Sequence, residues 1–95
     1  MYVQYERTGT AIQFEWDDDN VEHIARHGIT PEEAEQVVRG NPLLVEAQYR
    51  SGEQRTLCAG STAGGKRVAV VYTMRGGRIR VVTAFVANRR LRKRL

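Results

Sequence analysis

The sequence predicts a single α+β domain, in which two N-terminal helices pack on an antiparallel β-sheet meander and a short basic tail follows. The chain has 95 residues and is 41% hydrophobic, which suits one ordinary globular domain. Two segments with helix-start signals precede four strand-like segments that are separated by glycine-containing turns. We expect one domain over residues 1–95, with residues 1–10 open to fraying and residues 87–95 forming the basic tail.

The first predicted strand and helix lie next to each other. Residues 12–16 alternate apolar and polar side chains, which predicts a strand. Residues 17–20 are three Asp and one Asn, whose oxygens accept hydrogen bonds from the free N–H groups of a helix start. A helix then extends to about His27, and Gly28 suits its end. The predicted apolar stripe of this helix consists of Val21, Ile24 and Ala25.

The second helix has a stronger start signal. Thr30 suits the N-cap, Pro31 the first turn, and Glu33 completes a capping box, so we expect a helix to about Arg39. Two helices around a glycine turn raise the possibility of a helix-turn-helix. The would-be recognition helix carries three Glu and one Arg, which phosphates would repel, and this disfavours DNA reading.

The second half reads as four strands, at about residues 43–49, 54–61, 67–75 and 78–86. Strict alternation predicts the faces of the last strand. One face would hold Ile79, Val81, Thr83 and Phe85, and the other Arg78, Arg80, Val82 and Ala84. Arg75 and Arg55 of the preceding strands then join the second face. Such a face can bind phosphates, or it is simply the solvated side of the sheet, and both interpretations stay open.

The net charge of +4 hides a strong asymmetry. Residues 1–53 hold four basic and all eleven acidic residues, a net −7, whereas residues 54–95 hold eleven basic residues and no acid, a net +11. This distribution indicates an anionic partner such as nucleic acid. The candidate RNA-binding residues are Arg75, Arg78, Arg89, Arg90, Arg92 and Lys93.

Other site types are weakly supported. His23 and His27 have the i, i+4 spacing of helical zinc ligands, but the HExxH pattern is missing, so we expect no metal and no cofactor. The single cysteine, Cys58, excludes a disulfide framework and is expected to be a buried thiol. No apolar run is long enough to span a bilayer, and the N-terminus does not resemble a signal peptide. We expect a cytoplasmic protein with no membrane partner.

Several segments together resemble the BrnT family of toxins from bacterial type II toxin–antitoxin systems. The resemblance covers about residues 12–94 and rests on the order and spacing of short segments. They are Phe14-Glu15-Trp16-Asp17, His27-Gly28-Ile29-Thr30, Glu32-Glu33-Ala34, Arg55, Gly60, Val70-Val71-Tyr72-Thr73, Arg75-Gly76 and Ile79-Arg80-Val81-Val82-Thr83-Ala84. The resemblance implies a RelE-like ribonuclease that cuts mRNA, free or on the ribosome, and arrests translation and growth. It also implies a cognate antitoxin, which alone connects the toxin to operator DNA.

Within this resemblance, a metal-independent endoribonuclease needs a base, an acid and cations for the phosphate. We expect Arg55 and Arg80 to hold the scissile phosphate, and His27 or Tyr72 to transfer the proton. The chain departs from the family pattern at Phe85, where an arginine is usual, and at Leu95, near a usual tyrosine. These departures favour an alternative, a catalytically degenerate relative that binds nucleic acid or antitoxin without cleavage. A third hypothesis is a small interaction protein whose basic face meets an acidic partner.

Overall fold

The computed structural model describes residues 12–95, in which three helices and four strands occur. In chain order these are α1 (Asp18–Ala25), α2 (Pro31–Arg39), β1 (Leu43–Arg50), β2 (Glu53–Ser61), β3 (Arg67–Arg75), β4 (Arg78–Val86) and α3 (Arg89–Arg92). The strands form one antiparallel sheet in the order β1-β2-β3-β4. The predicted α+β meander is confirmed and is compatible with a RelE-like fold. The prediction for residues 1–10 lies outside the described residues, and none of the described helices is long and apolar enough to cross a membrane.

The strand predicted for residues 12–16 is reduced to a single parallel bridge between Phe14 and Ile79. The Glu15 N–H donates to the Ile79 carbonyl and the Ile79 N–H donates to the Gln13 carbonyl, both at 2.8 Å. Pairing stops there because α1 starts only a few residues later. The segment therefore lies along the otherwise free edge of β4.

Both helix starts form as predicted. Asp17 caps α1 through a capping box with Asn20, and Thr30 caps α2 through a capping box with Glu33. Gly28 has a φ of +78°, a left-handed conformation that glycine adopts without strain. Helix α1 is shorter than predicted, since it ends at Ala25, an exposed residue that does not join the apolar stripe. Asn20 is buried instead, and its side-chain amide donates to the carbonyls of Glu15 and Val81.

The main core lies between the sheet and helices α1 and α2, on what we call the helix-facing side. Its largest fully buried side chains are Ile24, Ile29, Val37, Val68, Val70, Val81 and Cys58. Each such aliphatic side chain stabilises the fold by about 1.5–3 kcal/mol through burial. This side therefore supplies most of the apolar stabilisation.

A register shift in the β3–β4 ladder changes which residues share a face. Val71 pairs with Thr83 but Tyr72 pairs with Val81, which leaves Val82 as an extra residue in β4. Since an extra residue reverses the alternation beyond it, the predicted faces of β4 are wrong from Thr83 onward, whereas Val82 lies on the predicted face with Arg80. Ala84 packs in the helix-facing core, whereas Phe85 packs on the opposite side, the outer face.

The predicted basic tail folds back as α3 over one end of the outer face. Asn88 caps this helix by accepting from the Leu91 N–H at 2.8 Å. Leu91 is only 9% exposed and joins a second apolar cluster with Ala59, Ala69 and Ala87. Phe85 packs against this cluster. Within residues 12–95, the outer face is consequently covered at the α3 end and open at the end nearest α1.

Candidate active site and nucleic-acid interface

Three arginines gather at the open end of the outer face. Arg55 pairs across the sheet with Thr73, and Thr73 pairs in turn with Arg80. Directly opposed residues in neighbouring strands point to the same side, so these side chains share one row. Together with Arg75 and His23 they line a cavity of about 250 Å³, which we call the arginine cavity.

A shared carboxylate holds two of these cations in place. The Nε of Arg55 lies 3.2 Å from one oxygen of Glu53, and the Nη2 of Arg75 lies 3.7 Å from the other. The Arg55 and Arg75 side chains remain 36% and 57% exposed, so these contacts orient them at little gain in stability. Each guanidinium has five N–H donors, and within residues 12–95 Glu53 is the one side chain that pairs with them, which leaves the other donors to an anion.

Arg80 is more strongly restrained. Its Nη1 donates to the Asp17 carboxylate at 2.9 Å and lies 3.8 Å from Glu15, and the side chain is only 17% exposed. The hydrogen bond from Arg80 holds the pKa of Asp17 below its usual value, and the same bond raises the pKa of Arg80. Because Asp17 is the N-cap of α1, Arg80 fastens the start of that helix to β4 at the wall of the cavity.

His23, not His27, lies in the arginine cavity. Its Nε2 is 3.1 Å from the Thr83 hydroxyl, at the edge of β4. His27 is exposed in the turn after α1, and its ring meets that of His23 edge to face at 5.6 Å. The sequence spacing held a usable signal, because His23 lies three positions after the buried Asn20, and this i, i+3 spacing places it beside the packed face of α1. Between residues 12 and 95, no cluster of three or more His, Cys, Asp or Glu could hold a metal ion.

The sheet separates Tyr72 from Arg55 and Arg80. Tyr72 packs against the core on the helix-facing side, where burial raises the pKa of its phenol. Cys58 is fully buried on the same side, and burial raises the pKa of its thiol to about 11. Neither side chain faces the arginine cavity.

The predicted RNA-binding residues divide into two groups at opposite ends of the outer face. Arg75 and Arg78 pair across the β3–β4 hairpin beside the arginine cavity, and both are exposed. At the other end, Arg90 and Arg94 border a depression of about 200 Å³ whose floor includes Leu57. The exposed basic residues on or after α3 also include Arg89, Arg92 and Lys93.

A third depression, which we call the central cavity, joins these two ends. It has a volume of about 340 Å³, an apolar floor and a polar rim. It shares Arg55 and Val82 with the arginine cavity and Leu57 with the depression under α3. The three depressions thus follow one another across the outer face with cations at both ends, an arrangement suited to an extended single-stranded nucleic acid.

A family model described as the ribonuclease toxin BrnT, of type II toxin–antitoxin systems, matches residues 16–90. The chain belongs to this family. The matched range begins just before α1 and ends within α3, so it contains every residue of the arginine cavity. Membership of the BrnT family implies an RNA substrate and an antitoxin partner. A search of the curated proteins finds no match.

One departure from the expected BrnT pattern now has a structural explanation. Phe85 stands where the resemblance implies an arginine, and it packs against the apolar cluster beneath α3. An arginine there would place a charge against Ala69 and Leu91, which is costly without a partner. In this BrnT chain the position therefore anchors α3 to the sheet.

Proposed function

We propose that this chain is the toxin of a type II toxin–antitoxin pair and cuts mRNA by a metal-independent mechanism in the cytoplasm, thereby inhibiting translation and growth. A cognate antitoxin neutralises it and alone carries the pair to operator DNA. The observation that carries this proposal is the arginine cavity, in which one imidazole and three guanidinium groups line a common space together with the carboxylates of Asp19 and Glu53. Cations and a titratable group are what phosphodiester cleavage needs in the absence of a metal.

The chemistry proposed for this cavity is transfer of the phosphoryl group to the neighbouring ribose hydroxyl. His23 accepts the proton of the 2′-hydroxyl, the 2′-oxygen forms a bond to phosphorus, and the bond to the 5′-oxygen breaks. The products are a 2′,3′-cyclic phosphate and a 5′-hydroxyl, which takes its proton from solvent or from the protonated imidazole. Histidine suits both steps because imidazole titrates near neutral pH.

The arginines take different parts in this proposal. Arg55 and Arg75 contact the scissile phosphate and stabilise the charge that develops on its oxygens, since both keep free donors. Arg80 contributes positive charge but acts mainly by holding α1, and therefore His23, against β4. His27 supports His23 through the ring contact, and Tyr72 has no part in proton transfer because it faces the other side of the sheet.

Two experiments test the proposal. The first induces expression of the chain in bacteria and follows growth, and the second assays RNA cleavage by the purified protein with and without a chelator. Induction should arrest growth, and the protein should cleave RNA equally well in EDTA and in Mg²⁺. The new ends should be a 2′,3′-cyclic phosphate and a 5′-hydroxyl. Cleavage that EDTA abolishes, or a new 3′-hydroxyl end, would overturn the proposed mechanism.

A second candidate is a binding protein that holds RNA or antitoxin without cutting. It is favoured by the ion pairs of Arg80 with Asp17 and Glu15. Arg80 was expected to bind the scissile phosphate, and these carboxylates already engage it. In that case the wild-type protein binds RNA in a salt-dependent manner, and the RNA is recovered intact.

A further inference from the structure

We propose that the central cavity binds a guanine base of the RNA and that Glu46 and Gln48 recognise it. This inference rests on the proposed function, because it names the base next to the phosphate that the arginine cavity would hold. It goes further in assigning a base preference to two residues of β1 that no phosphate chemistry requires.

Position is the first argument. The central cavity adjoins the arginine cavity and shares Arg55 with it. In an extended RNA strand a base projects beside each phosphate, so a phosphate held by Arg55 would place a neighbouring base over the sheet. The depression at the α3 end, bordered by Arg90 and Arg94, would then receive the next part of the backbone.

The lining of the central cavity is the second argument. Its floor consists of the half-buried side chains of Leu57, Val71 and Val82, which offer a base ring an apolar surface. Its volume of about 340 Å³ lies in the range of small-ligand pockets, which are mostly apolar with a few placed polar groups. Arg55 at the rim can also stack on a base through its planar guanidinium.

The rim supplies the base preference. Glu46 and Gln48 lie two residues apart in β1 and both border the cavity. The Gln48 amide donates one N–H to Oε2 of Glu46, which leaves Oε1 of Glu46 and the amide oxygen of Gln48 as acceptors and the second amide N–H as a donor. The rim therefore presents these acceptors beside the guanidinium donors of Arg50 and Arg55, which line the same cavity and can face the acceptor atoms of a base.

Guanine is the base that complements such a rim. Its Watson–Crick edge has two adjacent donors, N1–H and the N2 amino group. Adenine and cytosine each place an acceptor beside their single amino group, and uracil has one N–H between two acceptors. RNA-binding proteins commonly read single-stranded bases at this edge.

The test measures binding without cleavage. Deoxyuridine hexamers with one central guanine, adenine or cytosine lack the 2′-hydroxyl, and fluorescence anisotropy at one fixed salt concentration gives their affinities. We expect the wild-type protein to prefer the guanine hexamer on the order of tenfold, the usual value of a paired base contact. Glu46→Gln should abolish this preference, and Gln48→Leu should weaken it.

Glu32→Gln is the matched control, because it removes the same charge from an exposed position on α2 and should keep the preference. A wild-type protein that binds all hexamers equally, or binds none, would overturn the inference, as would an unchanged preference in Glu46→Gln. If the wild-type protein cleaves RNA but shows no guanine preference, the guanine site is refuted and the proposed ribonuclease function is not. If the protein shows a guanine preference that depends on Glu46 but never cleaves RNA, the guanine site is supported and the proposed catalysis is refuted.

Discussion

The two faces of the sheet have opposite properties. On the helix-facing side, Ile24, Val70 and Val81 are at most 1% exposed and helices α1 and α2 cover the strands. On the outer face, α3 is the one element within residues 12–95 that covers the strands, and Arg55 and Arg75 line the cavity at the other end. Stability and the proposed RNA chemistry therefore depend on different side chains. Substitutions should therefore separate the two properties.

The two halves of the chain divide in charge, yet the fold connects them. The acidic first half provides Glu15, Asp17 and Glu53, whose carboxylates hold Arg80, Arg55 and Arg75 at the arginine cavity. Glu33 of α2 pairs in the same way with Lys66 at 2.8 Å, and this contact holds the pKa of Glu33 below its usual value. The charge asymmetry of the sequence thus becomes an arrangement in which carboxylates of the first half hold arginine and lysine side chains of the second half in position.

The largest effect on stability should come from the helix-facing side. Ile24→Ala removes a fully buried side chain and should lower the free energy of unfolding by about 2–5 kcal/mol. Urea denaturation followed by circular dichroism measures this loss. Leu44→Ala, at a position that is 65% exposed, is the control and should change stability by less than about 0.5 kcal/mol. Equal losses in both variants would refute the division between the faces.

On the outer face, Arg55→Ala should damage activity and spare the fold. Removing one charge-stabilising donor typically lowers the rate about 100-fold or more, and the urea midpoint should stay near that of the wild-type protein. Single-turnover RNA cleavage provides the rate. Arg26→Ala removes an exposed arginine in the turn after α1 and should cleave normally. If both variants cleave at the same rate, Arg55 does not act on the phosphate.

A smaller effect is expected where α3 meets the sheet. Phe85→Ala should cost about 2 kcal/mol, less than a fully buried phenylalanine, because the side chain is half-buried. The loosened α3 should expose its arginines to trypsin, so cleavage within residues 89–94 should become faster. Val86→Ala, at a neighbouring position that is 51% exposed, is the comparison. Trypsin digestion at the same rate in both variants would show that Phe85 does not anchor α3.

The smallest effect should appear as a pH dependence. Asp17→Asn keeps a residue that caps helices well but removes the charge that Arg80 contacts. Since the pKa of Asp17 is lowered in the folded state from its usual 3.8, the carboxylate stabilises the protein above that pH. This advantage should disappear as the pH falls through the lowered value. Urea midpoints of both proteins between neutral and acid pH measure it, and a difference that does not vary with pH would contradict the pairing.

The sequence predicted the parts of the fold that are specified locally. The strand bounds of β3 and β4 were correct because Gly76 and Gly77, with φ values of +60° and +80°, form the tight hairpin that their sequence indicates. The start of α2 was correct because Thr30 and Glu33 form a capping box.

The errors arose where the outcome depends on distant residues. The extra residue Val82 has no local signature, and it moved Phe85 to the face opposite that predicted. The pairing of residues 12–16 depends on the free edge of β4. The same limit affected the candidate site. Strand alternation was enough to group Arg55, Arg75 and Arg80 on one face, whereas His23 joins them only because α1 packs beside Thr83.

The most direct test of a ribonuclease site in the arginine cavity compares His23→Ala with His27→Ala in RNA cleavage by purified protein in EDTA. Both variants remove an imidazole, His23 from the last turn of α1 and His27 from the turn that follows it. Because both wild-type side chains are exposed, both variants should fold. If the arginine cavity cuts RNA, His23→Ala should lose at least about 100-fold in rate, whereas His27→Ala should stay within a few-fold of the wild-type protein. A His23→Ala variant that cleaves RNA like the wild-type protein would contradict a ribonuclease site in the arginine cavity.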